Sequence, residues 1–393
     1  MYPKIYLAID NCVFYKRWTS PDAWAKKIKD LGIYYIEASA DTELDPLYMD
    51  HTYLYDWVRQ VREAEAKYGV KVANLYSGHG SYTTLGLTHP DGHVRRNLID
   101  NWFFPLLRAA AELDAGAGFF AHAFPHEALQ SETLYHRFTD ILTDGLSELN
   151  AYGARLGCRS LGIEQMYTPH QYPWRLEDTR CLLQKVTAQS GADFYFTEDL
   201  GHHHVKFVHP EQPSTSKAGG LWLGSDRAYA LWRAEGLAAW DRIVEDMDLH
   251  PSLFSAPEDG DCYRTLRTLG CYSPIIHLQQ TNGQQSAHLP FTPEQNTAGI
   301  IRPRAVLEAI KAAYDAPEGP NMPRRCTEIY LTLELFSGTA SIMEDVLLDL
   351  EKSVAYWRKA VPNDGVTLDR LVSSECSSQT IATERYCVDD QRG

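Results

Sequence analysis

The chain has 393 residues, 44% of them hydrophobic and 23% charged, and 37 basic against 52 acidic residues leave a formal net charge of −15. That acidic balance repels a phosphate backbone and an anionic bilayer, so neither nucleic acid nor membrane is an expected partner, while a local basic pocket would still admit a small phosphorylated ligand. None of the eight cysteines forms a C-x-x-C pair, the opening MYPKIYLAID has neither a signal nor a transit pattern, and no apolar run approaches the roughly 18 residues that span a bilayer, so a cytoplasmic enzyme is expected.

In chain order, eight short apolar runs stand out, at 5–9, 34–38, 70–75, 118–122, 160–164, 193–197, 273–278 and 329–335. Most lack polar alternation, as parallel strands covered on both faces do. Helical segments lie between them. One begins at Pro21, with Ser20 as its cap, and stops before Gly32; another, 53–68, closes at Gly69; 97–113, 134–156 and 176–189 follow, and the last barrel helix, 341–361, ends before Pro362. Eight strand–helix alternations predict an α/β fold of the (β/α)8 barrel type, occupying 1–364.

Two parts exceed that plan. The connection between strands six and seven carries an insertion at about 205–260, with the Pro- and Ser-rich run PEQPSTSKAGG and a helical stretch at 227–246, read as lying over the barrel mouth. The residues from 365 to 393 form a polar tail containing SSECSSQT, disordered or laid on the surface.

Active sites of such barrels sit at the C-terminal ends of the strands. Here those ends carry Glu37, His79, His122, Glu164, Asp199, His277 and Glu334. Ionisable residues that close apolar strands are costly unless paired or bound to a metal. Glu164, Asp199, His277 and Glu334 make a shell of three carboxylates and an imidazole for one divalent ion; Mn2+ is favoured, Co2+ and Mg2+ suit it, and Zn2+ is compatible. His79, in YSGHGSY, and His122, in FFAHAF, are weaker candidates for substrate contact. Glu37 supports the site or pairs with Arg17. Phosphate donors are sought among Lys16, Arg17, Lys206, Asn282 and Arg302. No dinucleotide fingerprint, P-loop or G-x-S-x-G elbow is present.

The segments GIEQM, FTEDLGHHH, IIHLQQTNG and LTLELF resemble those of the xylose-isomerase-like barrel superfamily, across about residues 1–362. More narrowly, the opening LAIDNC, the pair Arg17–Trp18 and IEASADTELDPLYM are similar to tetrulose-phosphate (erythrulose phosphate) epimerases; the insertion departs from compact ketose epimerases. The resemblance implies that Glu164, Asp199, His277 and Glu334 bind metal, that His202, in the D-x-x-H that starts at Asp199, contacts substrate, and that the chain assembles as a homodimer or tetramer. The implied reaction is epimerisation or isomerisation of a short ketose or ketose phosphate through a metal-stabilised enediolate, with Glu164 and Glu334 moving the proton on opposite faces. Aldose–ketose isomerisation and dehydration use the same parts. An endonuclease IV-like phosphodiesterase and a non-catalytic sugar-binding barrel are the remaining alternatives.

Overall fold

The computed structural model describes residues 1–14, 20–78, 85–120, 123–203 and 226–373. Eight parallel strands form a closed barrel: β1 Lys4–Asp10, β2 Tyr35–Ser39, β3 Lys71–Ser77, β4 Gly116–Phe120, β5 Leu161–Glu164, β6 Tyr195–Asp199, β7 Ile275–Leu278 and β8 Glu328–Leu333. β1 completes the ring by pairing with both β8 and β2. Each strand falls within about two residues of its expected position, which is the ordinary error of placing an end from pattern alone. β4 starts two residues earlier than expected, at Gly116. Glycine lowers strand propensity, but it is needed here, because a Cβ would fall 2.7 Å from Asn74 Oδ1 on the neighbouring strand.

The side-chain period of two sorts each strand into an outer and an inner row. The outer row joins the helices in the main core, which buries Trp24, Trp57, Phe119 and Trp357. The inner row is layered. Tyr6, Ala8, Ala73, Ile275 and Tyr330 form an apolar plug, with the Tyr6 and Tyr330 rings stacked at 4.9 Å. Toward the C-terminal ends of the strands the inner row turns polar, with Asp10, Glu37, Glu164, Asp199, His277 and Glu334 all buried. The plug closes one end of the barrel, and the acidic layer above it faces the mouth.

Most helix ends follow the sequence signals. The helix His51–Tyr68 is capped by Asp50, which accepts from Tyr53 N at 2.9 Å, and it closes on Gly69 at φ +74°. Ser20 occupies the cap position of Pro21–Asp30, but only its backbone carbonyl receives the first-turn amides; its side chain makes no cap bond. The stretch expected as one helix at 97–113 runs from Gly92 to Glu112 with a wide π turn at Ile99–Phe103. Pro105 follows that turn and cannot donate to it.

The insertion's described part is two helices, Asp226–Glu235 and Trp240–Leu249, rather than one, and Gly236 at φ +58° breaks them. The segment beyond them lies against the rim helices. Ser252 Oγ bonds Glu132, and Arg175 donates to the carbonyls of Pro251 and Phe254. Past Asp364, a short strand β9, Val366–Thr367, pairs antiparallel with Lys4 and Ile5, where β1 has not yet met β2. The turn Leu368–Ser373 then buries Leu368 and Leu371. All six cysteines among the described residues are free thiols. Among the described residues no helix is long and apolar enough to cross a membrane.

Candidate active site

The polar layer opens into a cavity of about 470 Å³, whose walls include Asp10, Tyr76, Glu164, His202, His288 and Glu334. One oxygen or nitrogen from each of Glu164, Asp199, His277 and Glu334 lies within 4.8 Å of the others, and all four residues are buried. They come from β5, β6, β7 and the residue just past β8. Register brings them level: His277 stands opposite Asp199 in the ladder, and Glu334 N donates to Leu278 O at 3.1 Å.

Hydrogen bonding fixes how these groups present themselves. Glu37 Oε2 is 2.7 Å from His277 Nε2, and Glu37 Oε1 accepts from Asn74 Nδ2 at 2.6 Å. The imidazole thus donates from Nε2, as ligand histidines do to a carboxylate behind them. Its Nδ1 faces two more carboxylates, Glu164 Oε1 at 3.3 Å and Glu334 Oε2 at 3.2 Å. Glu334 Oε2 is buried without an aligned hydrogen-bond partner. A lone pair on Nδ1 beside two carboxylate oxygens is repulsive unless a cation sits among them. That cation is either a proton or a metal ion, and the donor set of oxygens plus one imidazole fits a hard or intermediate divalent ion.

The ionisation of the cluster agrees. Burial disfavours charge on His277, but Glu334 and Glu37 overcome it and hold the imidazole well above its usual range. Burial opposes charge on Glu334 too, and His277 and His288 outweigh it, pulling the carboxyl well below the usual value. Burial lifts Asp199 to about 6 against the pull of His202. Asp10 is raised well above its ordinary value by burial and by Glu37. Together these shifts favour positive charge in one place, as in a site built for a cation.

No protein-family model matches the chain. A D-erythrulose 1-phosphate 3-epimerase from Brucella abortus (strain 2308) is 34% identical over 302 residues, which is 76% of this chain and 78% of that one. The chain belongs to the xylose-isomerase-like barrel superfamily of sugar isomerases and epimerases. It is therefore an enzyme of the isomerase class. Solved structures share the fold at lower identity. A candidate xylose isomerase from Rhodospirillum rubrum superposes with a TM-score of 0.63 at 20% identity, covering 90% of this chain and 98% of that one. An L-ribulose 3-epimerase does so at 0.55 and 13%, covering 95% and 100%.

In this superfamily member the structure places the expected substrate contacts unevenly. His202 lines the cavity: its Nδ1 donates to Gln165 O at 3.0 Å, which leaves Nε2 facing Asp199 Oδ2 at 3.4 Å. His203, next in the run, is buried outside the cavity between Glu198 Oε1 at 2.8 Å and Asp259 O at 3.0 Å. Asn282 is exposed and accepts from Gln284 N within its own turn; the cavity walls do not include it. Glu37 supports the site through His277. Arg17, His79, His122, Lys16 and Lys206 lie outside the described residues.

Several residues of the site, three of them in the cavity wall, were not singled out from sequence. Tyr76 hydrogen-bonds Glu164 Oε2 and sets its ring edge against His277 at 4.9 Å. Asp10 ends β1 in register with Glu37, and the apolar–acidic step LAID is the signal that could have found it. His288 sits on an irregular loop after β7 and carries no periodic signal. Gln279 braces Asp199, with Nε2 at 2.9 Å from each carboxylate oxygen.

Proposed function

We propose that the chain is a divalent-metal-dependent 3-epimerase of a short ketose phosphate of the erythrulose phosphate kind. One observation carries this reading: Glu164 and Glu334 converge with Asp199 and His277 in a single buried cavity. The name of the Brucella relative supports the four-carbon phosphorylated substrate. In the proposed arrangement Glu164, Asp199, His277 and Glu334 hold one ion, Mn2+ before Co2+, Mg2+ or Zn2+. That ion supplies Lewis-acid polarisation of the ketone beside the carbon to be inverted.

The protein's own groups do the rest. One carboxylate, Glu164 or Glu334 according to the epimer bound, takes the proton from the carbon next to the ketone. The other, protonated in the substrate-bound state, returns a proton to the opposite face. The Tyr76 hydroxyl holds Glu164 Oε2 in place, while Glu334 Oε2 has no aligned partner to surrender. His202, whose Nδ1 donates to Gln165 O, accepts from a sugar hydroxyl through Nε2. Met166, Phe120 and Phe336 line the cavity and exclude water from the exchanging proton. The free thiols and the acidic surface suit the cytoplasm, and a homodimer or tetramer with no nucleic-acid or membrane partner completes the reading.

The test is solvent exchange. The Mn2+-loaded protein is incubated with erythrulose phosphates and other ketose phosphates in deuterated water. Deuterium entering the carbon next to the ketone together with inversion there is the expected result; an aldose product, or loss of water, contradicts it.

Glu37 gives a second prediction. Glu37→Gln leaves one acceptor for two buried donors, Asn74 Nδ2 and His277 Nε2. Mn2+ affinity, followed by titration, is expected to fall about 10–100-fold, and unchanged affinity would show that His277 needs no support.

A further inference from the structure

We infer that His288 is a further substrate-contacting residue, donating from Nδ1 to an oxygen of the bound sugar on the side of the cavity opposite Tyr76. The inference rests on the epimerase reading for its ligand, and on four independent observations for its geometry.

The ring is held at the cavity rim. It stacks on Phe336 at 3.7 Å with the planes 7° apart, which fixes the plane of the ring. Its backbone is held too. Gln279 Oε1 accepts from Ala287 N at 3.0 Å and from His288 N at 2.6 Å. His288 adopts φ +46°, the left-handed region that is uncommon outside glycine, with histidine among the residues found there more often. A strained backbone that surrounding bonds hold in place, at the rim of a cavity, is where a functional side chain is expected.

The ring proton can be placed from the groups around it. Gln279 Nε2 donates to Ser286 Oγ at 3.1 Å, and Ser286 Oγ lies 3.2 Å from His288 Nε2. The hydroxyl can donate to Nε2 or to Gln279 Oε1 at 3.5 Å, and it is the Glu334 carboxylate facing Nδ1 at 3.4 Å that puts a proton on that nitrogen. Nδ1 is buried without an aligned partner. Glu334 Oε2 is 3.4 Å away, and Asp199 and His202 also offer an atom within 4.8 Å. A histidine kept only for packing would have both nitrogens satisfied. This one keeps a donor directed at the space between two of the proposed metal ligands, where the sugar's reacting oxygens have to lie. Gln279 links the two functions, since the same amide that braces Asp199 also sets the loop that carries His288.

Two variants test this. His288→Gly deletes the ring and relaxes the positive φ, so the fold is expected to survive. His288→Asn also tolerates that φ, and its amide nitrogen reaches the place of Nδ1. Each is assayed for KM and kcat with the ketose phosphate that the wild type epimerises, and for Mn2+ affinity by titration. The expected result is a KM about tenfold or more higher in His288→Gly, the effect of one lost hydrogen bond to a ligand, with Mn2+ affinity unchanged and with His288→Asn returning KM to within about threefold of the wild type. An unchanged KM in His288→Gly, or no recovery in His288→Asn, overturns the inference. So does a loss of Mn2+ affinity in His288→Gly, which would make His288 a metal ligand. Absence of exchange in the wild type would instead remove the epimerase reading itself.

Discussion

Glu164→Gln and Glu334→Gln are each expected to lower epimerisation by about 10²–10⁴-fold, the usual contribution of a positioned acid or base. The two losses should not be equivalent in deuterated water. With one base per face, each variant keeps the carboxylate that removes the proton from one epimer and lacks the one for the other. Glu164→Gln should therefore exchange hydrogen in one epimer without inverting it, and Glu334→Gln in the opposite epimer. Mass spectrometry of recovered substrate reads this directly. Exchange of both epimers by either variant would mean that a single base serves both faces. Glutamine keeps one oxygen toward the cluster, and Mn2+ content measured in parallel separates a lost base from a lost ion. In Glu164→Gln the Tyr76 hydroxyl can still donate to the amide oxygen, so the side chain's orientation is preserved.

Removing divalent ions should have the second large effect. At pH 8 a chelator is expected to abolish turnover and to lower Tm by several degrees, both restored by Mn2+. Free ion at about 100 times its dissociation constant stabilises by about 2.7 kcal/mol, and each kcal/mol moves Tm by a degree or more in a chain of this size. The pH dependence follows from the groups that compete with the ion. Asp199 is lifted by burial to about 6, so in the stripped protein its contribution is full below its unfolded value near 4 and is lost as pH rises through 6. His277, raised by Glu334 and Glu37 against the effect of burial, likewise favours the stripped protein at low pH and is lost as pH rises through its folded value. Both groups must give up a proton to take a metal ion. The Tm gap between loaded and stripped protein should therefore be small at pH 5 and widen toward pH 8. A gap independent of pH would show that the ion displaces no proton and binds elsewhere.

The barrel was legible in the sequence because each strand is a short apolar run, and parallel strands buried on both faces leave little else for such runs to be. The acidic layer was legible for a related reason. GIEQM, FTEDL, IIHL and LTLEL each place an ionisable residue where an apolar run stops, and a residue there has to be satisfied by something other than its own strand. What could not be read was set by loops. His288 reaches the cavity through backbone bonds to Gln279 and a positive φ, and neither leaves a periodic trace. Asn282, three residues past Gln279, was a fair candidate by position, but its side chain closes its own turn instead. Glu37 was seen at a strand end, yet its partner lies five strands away in sequence on β7, and only closure of the ring brings the two together.

Anomalous diffraction from crystals of the Mn2+-loaded protein, collected near the manganese edge, measures the essential point: whether the ends of β5, β6, β7 and β8 grip one ion. A single strong peak within bonding distance of Glu164, Asp199, His277 Nδ1 and Glu334 is the expected result. A peak that any of these four fails to reach, or no peak inside the barrel at saturating Mn2+, contradicts it.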